Sequence, residues 1–358
     1  MNTQVTAQNN WNQALNDTMI SHQINEDSDK ASVLAAVAQD GWALKYANLE
    51  LRADKDVVLA AVNQRGSVLY YASSELKADR DVVLAATTQN MEAWSFVANE
   101  LMADISFMEW IIKQNPTALY FASRELQANR EFVTHAIQRD PMALEFVSAE
   151  LKNDREIVLD AVKRRGGSFI FASYNLKADS DFVMQIVKIS PYSFKFAKPE
   201  LHSDRAFVMK IIKHSGRALE YVSEELRDDY EIVRLATLNH RWAFEFASDR
   251  LKADKSLISE LIAIDGVILK YADTNLQSDP ELVLKAVVSD RRAFERSSDK
   301  LKANAEFALQ VAAVNIYALE YIADSLQSNV DFGQKLVKIN PRGVEYLRDA
   351  VRDKIGSV

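Results

Sequence analysis

From Asp29 onward the apolar residues of this chain follow a pattern that renews itself every 25 residues. In NREFVTHAIQRDPMALEFVSAELKN, which runs from Asn129 to Asn153, Phe132, Val133, Ala136 and Ile137 share one face of a helix of 3.6-residue period. Ala143, Leu144, Phe146, Val147 and Leu151 make a second such stripe. The alternation that a strand requires is absent. DREIVLDAVKRRGGSFIFASYNLKA follows at once with the same order of residue types.

The helix boundaries repeat as well. Asp29, Asp54, Asp79, Asp104, Asn129, Asp154, Asp179, Asp204, Asp229, Asp254, Asp279, Asn304 and Asn329 stand 25 apart, each with a short side chain able to cap a helix N-terminus. Asp40, Asn115, Asp140, Ser190 and Asn340 recur at the twelfth position of the period, and Pro116, Pro141, Pro191 and Pro341 come directly after it. Proline suits a first helical position, where its missing N–H costs nothing. Two caps per period predict two helices of about ten residues each, joined by turns of one or two. A leucine closes every period from Leu51 to Leu326.

Helices this short are marginal alone in water, so each pair must bury its stripes against the next pair. The predicted fold is all-α: an α-solenoid or superhelix of about twelve 25-residue two-helix repeats, with capping helices at both ends. Residues 1–28 read as a polar head whose Trp11, Leu15, Met19 and Ile20 suit an N-terminal capping helix. Residues 29–328 read as one elongated domain of twelve repeats, and 329–358 as a partial repeat ending in the cap LRDAVRDKIGSV.

The phrase D-R-E-x-V-L-x-A-V, then Gly or Pro, then A-L-x-Y/F-A-S-x-E-L-K, resembles a bacterial repeat family of unknown function, DUF4116. DREIVLDAVKRRGGSFIFASYNLKA matches it most fully, with DRDVVLAATTQN and the preceding ASSELKA, and the resemblance runs from Asp29 to about Arg352. It implies an interaction role, since similar arrays occur in host-associated bacteria and include candidate secreted effectors. On that basis residues 1–28 are a candidate unfolded export signal.

Composition narrows the function. With no cysteine there is neither a disulfide framework nor a thiolate metal site nor a cysteine nucleophile. No apolar run is long enough for a membrane span and the start lacks a secretory pattern, so the expected location is the producing cell's cytosol, or a host reached through a specialised secretion system. The net charge of −8 opposes strong nucleic-acid binding unless a local basic stripe provides it. His22, His135, His202, His214 and His240 share no metal-ligand spacing. Ser297 and Lys300 spell S-x-x-K without its companion motifs. No catalytic residue, metal or cofactor is expected. Ser73, Ser123, Ser148, Ser173, Ser223, Ser248 and Ser298 recur as a feature of the fold, a small hydroxyl near a helix end.

Positions that vary between repeats are those packing leaves free. On the second helix these are its second, fifth and ninth residues, which carry Trp42, Tyr70, Tyr120, Met142, Ile170, Tyr174 and Tyr192, then Trp242 and Tyr317. From Arg217 onward the same face turns acidic, with Glu220, Glu224, Glu245, Asp249, Glu295, Asp299, Glu320 and Asp324. A protein partner with a basic end fits this row, because aromatic side chains anchor interfaces at low entropic cost. The alternative surface is a basic stripe on the first helices: Lys113, His135, Arg139, Lys163, Arg164, Lys188, Lys210, Lys213 and His214. That stripe suits nucleic acid or an acidic partner.

Two local expectations complete the reading. Glu50, Glu75, Glu125, Glu150 and Glu200 are each followed five residues later by Lys55, Arg80, Arg130, Arg155 and Arg205, which predicts an ion pair across each turn. Arg296 stands where other repeats place Tyr or Phe, which predicts a looser or bent stack there.

Overall fold

The computed structural model describes residues 24–356, and the chain divides into two compact units, Met1–Ala172 and Ser173–Val358. The head helix proposed on Trp11, Leu15, Met19 and Ile20, like His22, lies outside the described residues. Among the described residues both units are all-α solenoids of 25-residue repeats, without a strand.

Each repeat opens with a long helix, as in Lys55–Gln64 or Arg205–His214, both of ten residues. Asp54 caps the first by accepting from the Asp56 and Val57 amides, and Asp204 caps the second through Phe207. An N-cap of this kind stabilises a helix by about 1 kcal/mol. The buried face follows the predicted stripe: Val57, Val58, Ala61 and Val62 in one repeat, Phe207, Val208, Ile211 and Ile212 in another.

The second element differs from the expected ten-residue helix. It is a six-residue 3-10 helix, as in Gly41–Tyr46, followed by two extended residues and a separate short helix, as in Leu49–Arg52. In many repeats a third cap marks the break, while Ala98, Lys198 and Ala323 hold the same place without a capping side chain. Ser123, Ser148, Ser223 and Ser248 stand just past the 3-10 segment and accept from the amides of Leu126, Leu151, Leu226 and Leu251, starting a new helix where the old one was to continue. The serines read as a hydroxyl near a helix end are N-caps. One consequence is that the second and fifth residues share a face, since i and i+3 eclipse in a 3-10 helix. The ninth residue belongs to another element.

Repeats interlock through the main chain. The Ser123 amide donates to the Met102 carbonyl at 2.9 Å, and Ser148 to Gln127 at 2.9 Å in the first unit. Ser223 to His202 and Ser248 to Arg227, both at 3.0 Å, repeat the clip in the second. Glycine supplies another close approach: a Cβ on Gly216 would lie 2.2 Å from the Ala236 carbonyl oxygen of the following repeat. The Gly216 amide is taken by Asn239 Oδ1 at 2.8 Å. Where proline occupies this position, no amide hydrogen needs a partner.

The ion pairs lie elsewhere than predicted. Lys55 reaches Asp79 at 2.9 Å and Asp81 at 2.6 Å, Arg80 reaches Asp104 at 2.6 Å, and Arg130 meets Asp154 and Glu156, all on the next repeat. The glutamates turn back instead: Glu75, Glu125 and Glu150 accept from their own amides and from the hydroxyls of Ser73, Ser123 and Ser148. The short helix leaves a capping position for the carboxylate, while the next cap aspartate offers the cation a nearer partner.

The Arg296 repeat departs locally. Its 3-10 segment is replaced by the α-turn Arg292–Glu295, and the preceding long helix shortens to Pro280–Val287. The Ser298 amide bonds Ser278 Oγ at 3.1 Å instead of a main-chain carbonyl, and Leu276 is half-buried where Leu251 and Leu326 are buried. Arg296 itself is not loose: its guanidinium meets the buried Asp290 at 3.0 Å. Ala293 and Phe294 stay fully buried. The last described helix is Asp349–Gly356, with Val351 buried.

Candidate functional surfaces

The sixth residue of the 3-10 segment is aromatic in every repeat except at Arg296, and these rings are half-buried. They form the base on which the predicted aromatic row stands. In the first unit Tyr70 is 57% exposed, set edge-on to Tyr71 at 4.9 Å and to Phe96 of the next repeat at 5.3 Å. Tyr120, 62% exposed, stands in the same way against Phe121 and Phe146. Edge-to-face contacts fix a ring's orientation, and the Lys77 ammonium lies over the Tyr70 ring at 5.5 Å. Trp42 is half-buried, with Arg65 over its ring at 5.7 Å, and Met142 is half-buried too.

The second unit repeats this arrangement with more charge. Tyr192 is braced edge-on by Phe196 and by Tyr221, and its hydroxyl accepts from Lys195 at 2.7 Å. Tyr174 is exposed with the Lys198 ammonium over its ring at 3.7 Å. Trp242 and Tyr317 are about half exposed. Burial, and then the carboxylate of Glu220, pushes the Tyr221 phenol up to about 12. Tyr221 therefore remains a neutral hydroxyl at physiological pH.

The acidic row divides in two. Glu320 pairs with Arg291 at 3.2 Å and Asp324 with Arg348 at 2.9 Å, so their charge is largely answered from within. Glu245 and Asp249 are exposed and form no ion pair among the described residues, in the same repeat as Trp242. Nearby, Arg241 lies over the Trp242 ring at 5.5 Å and pairs with Asp265 at 3.0 Å, and Arg250 pairs with Asp228 at 3.0 Å.

On the long-helix side Lys113, Arg139 and Lys163 in the first unit, and Lys188 and Lys213 in the second, are exposed and form no ion pair among the described residues. Arg164 pairs with Asp160 at 3.3 Å and His135 with Glu109 at 3.2 Å. Among the described residues no group of His, Asp and Glu side chains could hold a metal ion, and no helix is long and apolar enough to cross a membrane.

One row of side chains has no counterpart among the expected sites. The residue after the closing leucine folds back onto the exposed carbonyls of the 3-10 segment: Arg52 on Lys45 and Ala47, Gln127 on Leu119 and Tyr120, Arg227 on Glu220 and Val222. The end of a 3-10 helix leaves carbonyls short of main-chain donors, and a side chain there supplies one, in addition to the Ala122 amide in the case of Leu119. A signal was present, in the recurrence of Arg, Lys, Gln or His at that one place.

The family model described as domain of unknown function, DUF4116, matches residues 29–77, 54–102, 79–127, 129–177, 158–202, 204–252 and 254–302. The chain belongs to the DUF4116 family. Most of the matches begin on the aspartate or asparagine that caps a long helix and cover two 25-residue repeats, so the family unit is a pair of the structural ones. After Lys302 the DUF4116 pattern of long helix, 3-10 segment and short helix continues through Ala305–Val314, Ile316–Tyr321 and Asp324–Gln327. No curated protein and no solved structure matches the chain.

Proposed function

We propose that this DUF4116 chain is a non-enzymatic repeat scaffold that binds a protein partner through the exposed face of its 3-10 segments. The observation that carries this reading is the bracing of Tyr70, Tyr120 and Tyr192: large apolar rings held out in water, yet fixed edge-on by half-buried rings behind them. A pre-ordered ring loses little entropy when a partner covers it. Trp242 with the exposed Glu245 and Asp249 selects a partner that offers an apolar side chain next to a lysine or arginine.

The test is capture of partners by the full chain and by a variant carrying Tyr120→Ala, Tyr192→Ala and Trp242→Ala. Loss of a partner while circular dichroism stays helical supports the reading, and unchanged capture counts against it. The family resemblance adds a site of action, the cytosol of a bacterium or a host entered by secretion. A reporter fused to residues 1–28 that never leaves the cell removes the second.

A further inference from the structure

The long-helix side of the first unit holds a separate site. Between the helices Ile105–Gln114 and Arg130–Arg139 runs a groove of about 590 Å³, walled by Glu109, Lys113, His135 and Arg139. Its floor is apolar, made by the nearly buried Ile112 and Phe132 with Ala136.

The charges of this groove are unevenly used. At the N-terminal ends of these helices the cations are committed, Arg80 to Asp104 and Arg130 to Asp154 and Glu156. At the C-terminal ends Lys113 and Arg139 are exposed and form no ion pair among the described residues, and Lys163 on Arg155–Arg164 extends the row in the same state. Favourable interaction with the helix dipole accounts for a cation at each helix end. Ile112, Phe132 and Ala136 belong to the buried stripes of their helices, and where they line the groove they leave an apolar floor between two such cations.

We propose that this groove binds an acidic segment of a partner protein, with carboxylates on Lys113 and Arg139 and one apolar side chain on the Ile112–Phe132 floor. Arginine and lysine exposed beside a desolvated floor match a carboxylate-rich peptide in charge, and the guanidinium of Arg139 can take a carboxylate through two parallel hydrogen bonds. A single-stranded nucleic acid draws affinity from stacking its bases on exposed rings, and apart from the His135 imidazole the residues lining the groove include no exposed aromatic ring. The site is distinct from the 3-10 face, so either can fail without the other.

Fluorescence anisotropy with the full chain tests it. The probes are a labelled short peptide of glutamate and aspartate with one central leucine, the same peptide with alanine in place of leucine, and a single-stranded oligonucleotide of equal charge. The leucine peptide is expected to bind, and the alanine peptide about tenfold more weakly. The double variant Lys113→Glu, Arg139→Glu should lose about tenfold or more, with Tyr120→Ala unchanged. Failure of the leucine peptide to bind, equal binding by the double variant or the alanine peptide, or tighter binding of the oligonucleotide overturns the proposal. Both substituted side chains are exposed. Lys113→Ala serves as the second variant should the double one lose its helical dichroism.

Discussion

Arg205 Nε lies 2.8 Å from the Asp229 carboxylate, and Asp229 is the cap that starts the next long helix, so one cation ties the ends of two successive helices together. Asp229 Oδ1 accepts from the Ile232 amide at 3.0 Å while Arg205 also reaches Glu231 at 2.7 Å. Burial pushes the Asp229 carboxyl up, but Arg205 and the Ile232 amide more than reverse this, and its pKa ends below the ordinary 3.8.

The two partners therefore differ in weight. Asp229→Ala removes a helix cap and is expected to cost about 1 kcal/mol in urea unfolding followed by circular dichroism. Arg205→Ala removes an exposed staple and should lower the midpoint less, by an amount that vanishes in molar salt. Because the folded carboxyl is the stronger acid, its contribution is complete above pH 3.8 and is lost as the pH falls below it. Asp229→Asn should flatten that acid limb; an unchanged limb would show that other carboxylates set it.

His202 is the histidine version of the donor that closes the 3-10 carbonyls. Its Nε2 lies 3.0 Å from the Phe194 carbonyl and its ring is tilted against that of Phe194, with centroids 4.7 Å apart. Burial lowers its pKa below 6.5, and the hydrogen bond to Phe194 only partly restores it. The unfolded chain thus binds the proton more readily, so stability declines as the pH drops through 6.5. Gln127 and Gln277 do the same work in other repeats with no titrating group. His202→Gln should match the parent at pH 7 and remove the decline between neutral pH and pH 5 in the thermal midpoint; a decline that persists assigns it elsewhere.

Glycine has two meanings here. Gly216→Ala puts a methyl group 2.2 Å from the Ala236 carbonyl oxygen, and backbone cannot swing aside as a side-chain tip would, so a loss of about 1–3 kcal/mol is expected. Around Gly167 nothing lies within 4 Å of the added Cβ. Gly167→Ala should raise the midpoint, by about 0.4–1 kcal/mol, because the unfolded chain loses freedom. Equal effects of the two would mean that contact with the next repeat is not what holds Gly216.

What the sequence revealed and what it hid have physical causes. The cap aspartates and buried stripes were legible because they are local and recur: Asp54 and Val57 needed only their own helix to be placed. The 3-10 segment was not, since over six residues a period of three and one of 3.6 put apolar side chains at nearly the same places, as with Ala43 and Leu44. The ion pairs were misplaced because in a perfect repeat Lys55 is followed by partners at fixed spacings in both directions, and only geometry separates Glu50 from Asp79. Of the candidate surface, Tyr70, Tyr120, Tyr174 and Tyr192 stand out in water as expected, whereas Trp42 and Met142 are half-buried and Glu320 is held by Arg291. Pairing with a residue 29 positions away leaves no mark in a 25-residue pattern.

Arg296 shows how a repeat absorbs a charge in its aromatic row. The guanidinium binds Asp290 at 3.0 Å, and Asp290, itself buried, also accepts from the Arg292 amide at 3.1 Å, so one carboxylate anchors both the cation and the turn. Removing only the carboxylate leaves a mostly buried cation without its counter-charge and an amide without its acceptor. Asp290→Ala should therefore cost about 2 kcal/mol. Arg296→Phe restores the ring found at this position in other repeats but strands Asp290, so it should gain little alone. The pair Arg296→Phe with Asp290→Asn keeps an acceptor for the Arg292 amide and removes both charges, and it should be more stable than the sum of the single changes. A double-mutant cycle in urea measures that coupling. A coupling near zero would mean that the α-turn at Arg292–Glu295 comes from other residues and that the ion pair is incidental to it.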